Sequence, residues 1–174
     1  MSHRAFVIAM LAAGFTTAAN ADPIDPCSLL SDAEMIELGL SKDSVPSREL
    51  QPGGVQACKY QFRSAVADSD GIVSIILSQA VPERARQLRA LQAKAREEDT
   101  PAQRQARGEY LEDGVMCKVV LASRQETSQC IGASEQSVVA LTVSRQSLGV
   151  TVTYPASQLR IMATMVSRLE AKGG

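Results

Sequence analysis

Apolar and polar positions alternate most clearly over residues 55–64. Cys58, Tyr60 and Phe62 fall on one side there, and Lys59, Gln61 and Arg63 on the other. A period of two marks a half-buried strand. Residues 72–79, Ile-Val-Ser-Ile-Ile-Leu-Ser-Gln, are β-branched and almost continuously apolar. With Asp68-Ser-Asp-Gly71 as the turn, the two segments predict an antiparallel hairpin. Before the hairpin the period lengthens. Leu30, Ala33, Ile36 and Leu40, with Met35, make one apolar side of a short helix. Ser31-Asp-Ala-Glu34 fits a capping box at its start, with Ser28 as the other possible cap, and Gly39 is a plausible stop. Residues 43–54 contain Pro46, Pro52, Gly53 and Gly54 and read as an irregular loop, either a binding element or a plain connector.

Residues 82–96 predict the long middle helix. Pro82 suits its first turn, and Ala85, Leu88, Leu91 and Ala95 form a narrow apolar stripe. Glu97, Glu98 and Asp99 sit at the negative end of that helix, which predicts fraying. Thr100-Pro101 breaks it, and 102–107 form a second short turn. A strand within 109–123 centres on Met116-Cys-Lys-Val-Val-Leu121; 129–133 and 135–145 continue the sheet, and 150–154 close it after a turn at 146–149. Val139, Leu141 and Val143 alternate with Val138, Ala140 and Thr142, so both faces of that strand are expected to be partly covered. Pro155 or Ser157 opens the last helix, with Leu159, Met162, Val166 and Leu169 as its buried stripe and Gly173-Gly174 at its end. The sum is one α+β domain, an antiparallel sheet covered by about three helices.

The start of the chain changes the compartment. Met-Ser-His-Arg precedes the apolar run Ala-Phe-Val-Ile-Ala-Met-Leu-Ala-Ala-Gly-Phe, and Ala19-Asn20-Ala21 is a small-x-small site. That pattern predicts a signal peptide over 1–21 and a mature domain over 22–174. The apolar run falls short of the roughly 18 residues of a membrane span, so stable membrane insertion is not expected. Cys27 follows Ile-Asp-Pro, which lacks the small apolar residues that precede a lipid-bearing cysteine. The expected location is periplasmic, or secreted where the source lacks an outer membrane.

Composition then excludes several chemistries. Loss of Arg4 with the leader leaves 17 basic against 19 acidic residues, a formal charge of −2, which gives no footing for nucleic acid. His3 is the single histidine and leaves with the leader, removing Ser-His-Asp and Cys-His arrangements and histidine metal ligands together. Cys27, Cys58, Cys117 and Cys130 make an even count in an exported chain and read as two disulfides. Three pairings are possible. Cys27–Cys58 and Cys117–Cys130 are preferred, because each joins neighbours in sequence and adjacent elements; such loops contribute roughly 3 kcal/mol each. A zinc site is the competing reading, but paired C-x-x-C spacing is missing. No cofactor, metal or catalytic residue is assigned.

The remaining candidates are charge clusters. Asp68 with Asp70, and Glu109 with Glu112 and Asp113, could serve carboxylate chemistry on a cell-wall sugar; Asp and Gly are also ordinary turn residues. Asp68-Ser-Asp-Gly lacks the later glutamate of a calcium loop. Arg84, Arg86, Arg89, Lys94, Arg96, Arg104 and Arg107 gather basic charge into one segment. They are the candidate binding residues, weighed against a solvated helix face.

Asp25-Pro-Cys-Ser-Leu-Leu-Ser-Asp-Ala-Glu34, with Gly39 and the later Cys58-Lys-Tyr60, resembles a broad group of small exported bacterial proteins. These share a Pro-Cys-x-Leu-Leu-Thr-x-x-Glu start and a Cys-x-Tyr/Trp strand, and many are actinobacterial lipoproteins of unknown function. The resemblance covers about the first quarter of the mature chain. It implies a Cys27–Cys58 bond and a helix-covered sheet. Ser31 stands where the group has Thr, and the lipid-bearing cysteine is missing, so membrane attachment does not carry over. The group has no agreed catalytic residues.

The functional expectation is a non-enzymatic binding protein of the envelope, an inhibitor or immunity protein acting on a toxin or lytic enzyme. The alternatives are an accessory subunit of an envelope or secretion assembly and, third, a carboxylate-dependent enzyme on cell-wall glycan.

Overall fold

Capping chemistry sets the first elements. The Asp25 carboxylate accepts from the Cys27 N–H at 2.9 Å and starts a single 3₁₀ turn, Pro26–Leu29. Ser31 and Glu34 close the expected capping box, the Glu34 carboxylate accepting the Ser31 N–H at 2.8 Å, and α1 follows as Asp32–Glu37. This computed structural model of the chain describes residues 23–52, 55–64, 69–79, 81–122, 125–146 and 155–173. The leader over 1–21, Asp68 and the strand expected over 150–154 lie outside the described residues.

Seven strands follow: β1 (Ser47–Gln51), β2 (Val55–Ser64), β3 (Ser69–Ser78), β4 (Glu109–Glu112), β5 (Val115–Ala122), β6 (Gln125–Ala133) and β7 (Val138–Gln146). The helices between and after them are α2 (Pro82–Glu98), α3 (Pro101–Ala106) and α4 (Ala156–Gly173). The strands form one antiparallel sheet in the order β1-β2-β3-β7-β6-β5-β4. The fold is therefore α+β, as the pattern predicts. β2 and β3 are the expected hairpin, although β3 begins at Ser69, so Asp70 and Gly71 belong to the strand.

The register draws both disulfides into one line. Arg48, Cys58, Ile75, Leu141, Cys130, Cys117 and Tyr110 are successive cross-strand partners from β1 to β4. Cys27 reaches that row from the 3₁₀ turn and bonds Cys58; Cys117 and Cys130, directly opposite one another, bond across β5 and β6. The two preferred pairings are the ones that form. Because side chains alternate along each strand, the residues two away from this row share its face. Tyr60, Val73, Leu77, Val139, Val143 and Val115 are buried there with Cys58, Ile75, Leu141, Cys117 and Cys130.

Two pieces cover that face. The 3₁₀ turn lies over β2 and β3, and α4 lies across β5, β6 and β7. Leu29, Met35, Leu38 and Leu40 come from the first piece, and Leu159, Ile161, Met162, Met165 and Leu169 from the second. Gly132 lets α4 come close, since a Cβ at that position would stand 2.6 Å from the Val166 methyl. The Asp113-Gly114 turn between β4 and β5 has both residues at positive φ, as the tightest hairpin turns require.

Three expectations need correction. Residues 43–54 are not all loop, because 47–51 form β1, an edge strand whose Ser-Arg-Glu-Leu-Gln sequence carries no alternating signal. The stripe of α1 is not Ala33 and Ile36, which are exposed, Ile36 at 60 %. Met35, Leu38 and the Glu34 carboxylate face inward instead, because Glu34 has a half-buried partner, Arg168 of α4, at 2.7 Å. Glu97 and Glu98 do not fray α2. Arg104 reaches back to donate to the Ala95 carbonyl at 3.0 Å and to the Asp99 carbonyl, so a cation occupies the negative end of that helix.

The Glu34–Arg168 pair locks the N-terminal cover to the C-terminal one. Arg168 also donates to the Leu29 carbonyl. Burial pushes the Glu34 carboxyl up, but hydrogen bonds from Arg168 and Ser31 and the Arg168 charge outweigh it and hold the group below its ordinary value. A lowered folded-state pKa contributes stability above the unfolded value and loses it as pH falls. Arg168→Met should therefore cost about 2 to 3 kcal/mol in urea unfolding at neutral pH. The variant should also show a shallower loss of stability than the parent between about pH 5 and pH 3. An unchanged urea midpoint for Arg168→Met would contradict this account of the lock.

Candidate functional site

The other face of the sheet is built by the residues between the buried ones, and among the described residues α2 covers it at one end. Four rows cross it. Val138 pairs with Ser78 and Ala133 in the first. Ala57, Ile76, Ala140, Ile131, Met116 and Leu111 make the second. Lys59, Ser74, Thr142, Gln129 and Lys118 make the third, and Gln61, Ile72, Ser144, Thr127 and Val120 the fourth. α2 lies over the first two rows near β6. Ala85 and Gln92 are its buried residues, with Gln92 donating to the Ile131 carbonyl at 3.3 Å. A cleft of about 270 Å³ between α2 and the sheet is lined by Leu88, Leu91, Ile131 and Val138 among others.

The last two rows lie beyond α2. Ile72, next to Gln61 toward one end of the fourth row, is 44 % exposed, and Val120 at the other end is 48 % exposed. Between them the Thr127 and Ser144 hydroxyls lie 3.1 Å apart, and Gln125 donates to Ser144 at 2.7 Å. In the third row each lysine is answered by a carboxylate on the neighbouring edge strand, Lys59 by Glu49 at 2.8 Å and Lys118 by Glu109 at 3.5 Å. The result is a broad, nearly uncharged area of hydroxyl, amide and branched aliphatic groups on a rigid backbone. The aromatic side chains Tyr60, Phe62 and Tyr110 belong to the other face. A sugar platform of stacked rings is therefore missing among the described residues of the open one.

The basic segment is placed differently from a bare docking face. Arg86 pairs with Glu83, Lys94 with Glu98 at 3.5 Å, and Arg107 with Asp99 at 2.7 Å and Glu109 at 3.0 Å. Hydrogen bonds to Asp99 and then to Glu109 push the Arg107 guanidinium still further up. Arg89 donates to the Ser134 carbonyl in the turn between β6 and β7, and Arg104 caps α2. The Arg89, Arg104 and Arg107 contacts bind α2 and α3 to each other and to the sheet. Arg84 lines the cleft beside Leu88, and Arg84 and Arg96 make no hydrogen bond or ion pair among the described residues. Five of the seven cations are thus engaged by groups of the same chain.

The carboxylates of the second cluster are divided, with Glu109 and Glu112 lining a hollow beside α3, and Glu112 and Asp113 a groove beside α4. Glu109 is engaged by Arg107 and Lys118, while Asp113 forms the tight turn. Asp68 lies outside the described residues, and of Asp70 the structure describes the backbone, in β3. Among the described residues no group of three or more His, Cys, Asp or Glu side chains is gathered as a metal site would need. No described helix is long and apolar enough to cross a membrane.

The open face was half legible. The alternation of Val138, Ala140 and Thr142 against Val139, Leu141 and Val143 signals two differently covered faces. Which neighbours complete each row depends on register, which no single strand reveals. Compared with protein-family models, curated proteins and solved structures, the chain matches none.

Replacing the exposed ends of the fourth row should leave the fold standing. Ile72→Glu and Val120→Glu are each expected to cost less than about 1 kcal/mol in thermal or urea unfolding. Ile75→Ala, on the covered face, should cost about 2 to 5 kcal/mol. Equal losses on the two faces would mean that the open face is packed against something.

Proposed function

We propose that this protein is an exported, non-enzymatic binding protein that holds another envelope protein on the open face of its sheet. An inhibitor or immunity protein that neutralises a toxin or lytic enzyme is the form this takes. The observation that carries the reading is the pair of rows beyond α2. They join apolar ends at Ile72 and Val120 to a centre of hydroxyls and amides, with the flanking lysines already neutralised. Protein partners are recognised by such areas, in which branched aliphatic groups supply burial and short polar groups supply hydrogen bonds at little entropic cost. The disulfide row behind the face keeps it from deforming when a partner docks, which lowers the ordering cost of binding.

An accessory role in an envelope assembly, docked through the basic segment, has less to draw on. Arg89, Arg104 and Arg107 hold α2 and α3 in place, and Arg86 and Lys94 are paired with carboxylates within α2. The open face, by contrast, is available over its two outer rows.

The test is a native capture. The oxidised protein, immobilised, is mixed with envelope extract of the source organism, alongside the Ile72→Glu/Val120→Glu double variant. The reading predicts one stoichiometric protein retained by the parent and lost from the variant, and a lytic or toxic activity that the parent suppresses. Capture that survives the double change, or no capture at all, would contradict it.

A further inference from the structure

On the other side of the molecule α4 and the β4–β5 turn enclose a groove of about 700 Å³. Its floor is apolar, formed by Leu159, Ala163 and Val166 of α4. Its rim is acidic, with Glu112 and Asp113 at the turn and Glu170 on the helix. One cation, Arg160, also lines it, but Glu37 of α1 already holds that guanidinium. Hydrogen bonds from Arg160 and Ser157 keep Glu37 ionised, so the pair is neutral as a unit. Asp113 and Glu170 have no hydrogen-bond or ion-pair partner among the described residues.

Glu170 is also in the wrong place for the helix. It sits in the last turn of α4, where unpaired carbonyls favour a cation. Lys172 meets that need from the same turn, but two residues on it points to nearly the opposite side of the helix. Among the described residues, Asp113 and Glu170 therefore keep their negative charge beside an apolar floor, and the one cation of the lining, Arg160, is already paired.

We propose that this groove is a second binding site, which takes a peptide segment presenting a lysine or arginine beside an apolar side chain. The aliphatic stem and the neighbouring apolar group lie on Leu159, Ala163 and Val166, and the cationic head lies between Asp113 and Glu170. Long basic side chains divide themselves between apolar and polar surroundings in this way. The Asp113 and Glu170 carboxylates disfavour an anionic segment, and the apolar floor favours an amphipathic one over a purely hydrophilic one. The site is separate from the open sheet face and does not depend on it.

The experiment titrates the isotope-labelled, oxidised protein with a short synthetic lysine–leucine peptide, followed by amide chemical shifts. A glutamate–leucine and a lysine–serine peptide serve as controls. Shifts confined to α4 and the β4–β5 turn are expected, weakening as salt shortens the screening length from about 10 Å at 0.1 M to about 3 Å at 1 M. Asp113→Asn and Glu170→Gln should each raise Kd about three- to five-fold. Thr164→Trp, an exposed change on the groove wall, should block binding. Glu98→Gln on α2, which removes the same charge elsewhere, should leave Kd unchanged, as should Ile72→Glu/Val120→Glu. Absence of binding, equal binding of the lysine–serine peptide, or insensitivity to both groove variants would overturn the proposal. Because the double change on the sheet face is carried through both experiments, failure here and failure of envelope-protein capture are told apart.

Discussion

One cross-strand row holds the molecule together. Cys58, Ile75, Leu141, Cys130 and Cys117 are consecutive neighbours across five strands, and both disulfides lie in it. A shift of register by one residue at any of these pairings would turn the row toward solvent and separate its cysteines from their partners. The bond to Cys27 fixes the N-terminal cover above β2, while the Cys117–Cys130 bond fixes the half of the sheet on which α4 rests. In the chain-entropy description, the longer loop, with its ends 31 residues apart, restrains the unfolded chain more than the one of 13. The register of the covered face thereby also decides which residues form the open one.

The two faces divide the work. The covered face takes the largest fully buried side chains, nearly all aliphatic, which suits a chain with no tryptophan and few other aromatics. Its two lids, from opposite ends of the chain, meet through Glu34 and Arg168 and through Glu37 and Arg160. Much of the charge on α2 and α3 is likewise spent on attachment, as Arg89, Arg104 and Arg107 show. Among the described residues, the outer half of the second sheet face and the groove beside α4 lie clear of these attachments. A single rigid sheet can in this way offer two surfaces of different chemistry without any moving part.

The sequence discloses whatever depends on near neighbours. The capping box at Ser31 and Glu34, the alternation of β2 and its hairpin with β3, and the Leu159, Met162 and Leu169 positions of α4 are local signals, and the structure has them. The disulfide pairs were legible because nearness in sequence and the joining of adjacent elements point the same way. Burial of Glu34 was not, since its partner lies 134 residues further on. β1 was hidden for a different reason. An edge strand is held mainly by backbone hydrogen bonds to one neighbour, so it needs no apolar alternation, and Pro46 and Pro52 around it suggest loop. The basic segment misleads because a run of arginines reads the same whether its heads face solvent or close onto carbonyls and carboxylates of the same chain.

The most direct test of the central claim, that the outer rows of the open face receive a protein partner, is site-specific photo-crosslinking in the native envelope. A photoreactive residue would be placed at Thr142, in the middle of the third row, and separately at Glu97 on the exposed side of α2. The account predicts one discrete protein adduct from Thr142, identified by mass spectrometry, and none from Glu97. An adduct from Glu97 alone, or no adduct from either position, would contradict it.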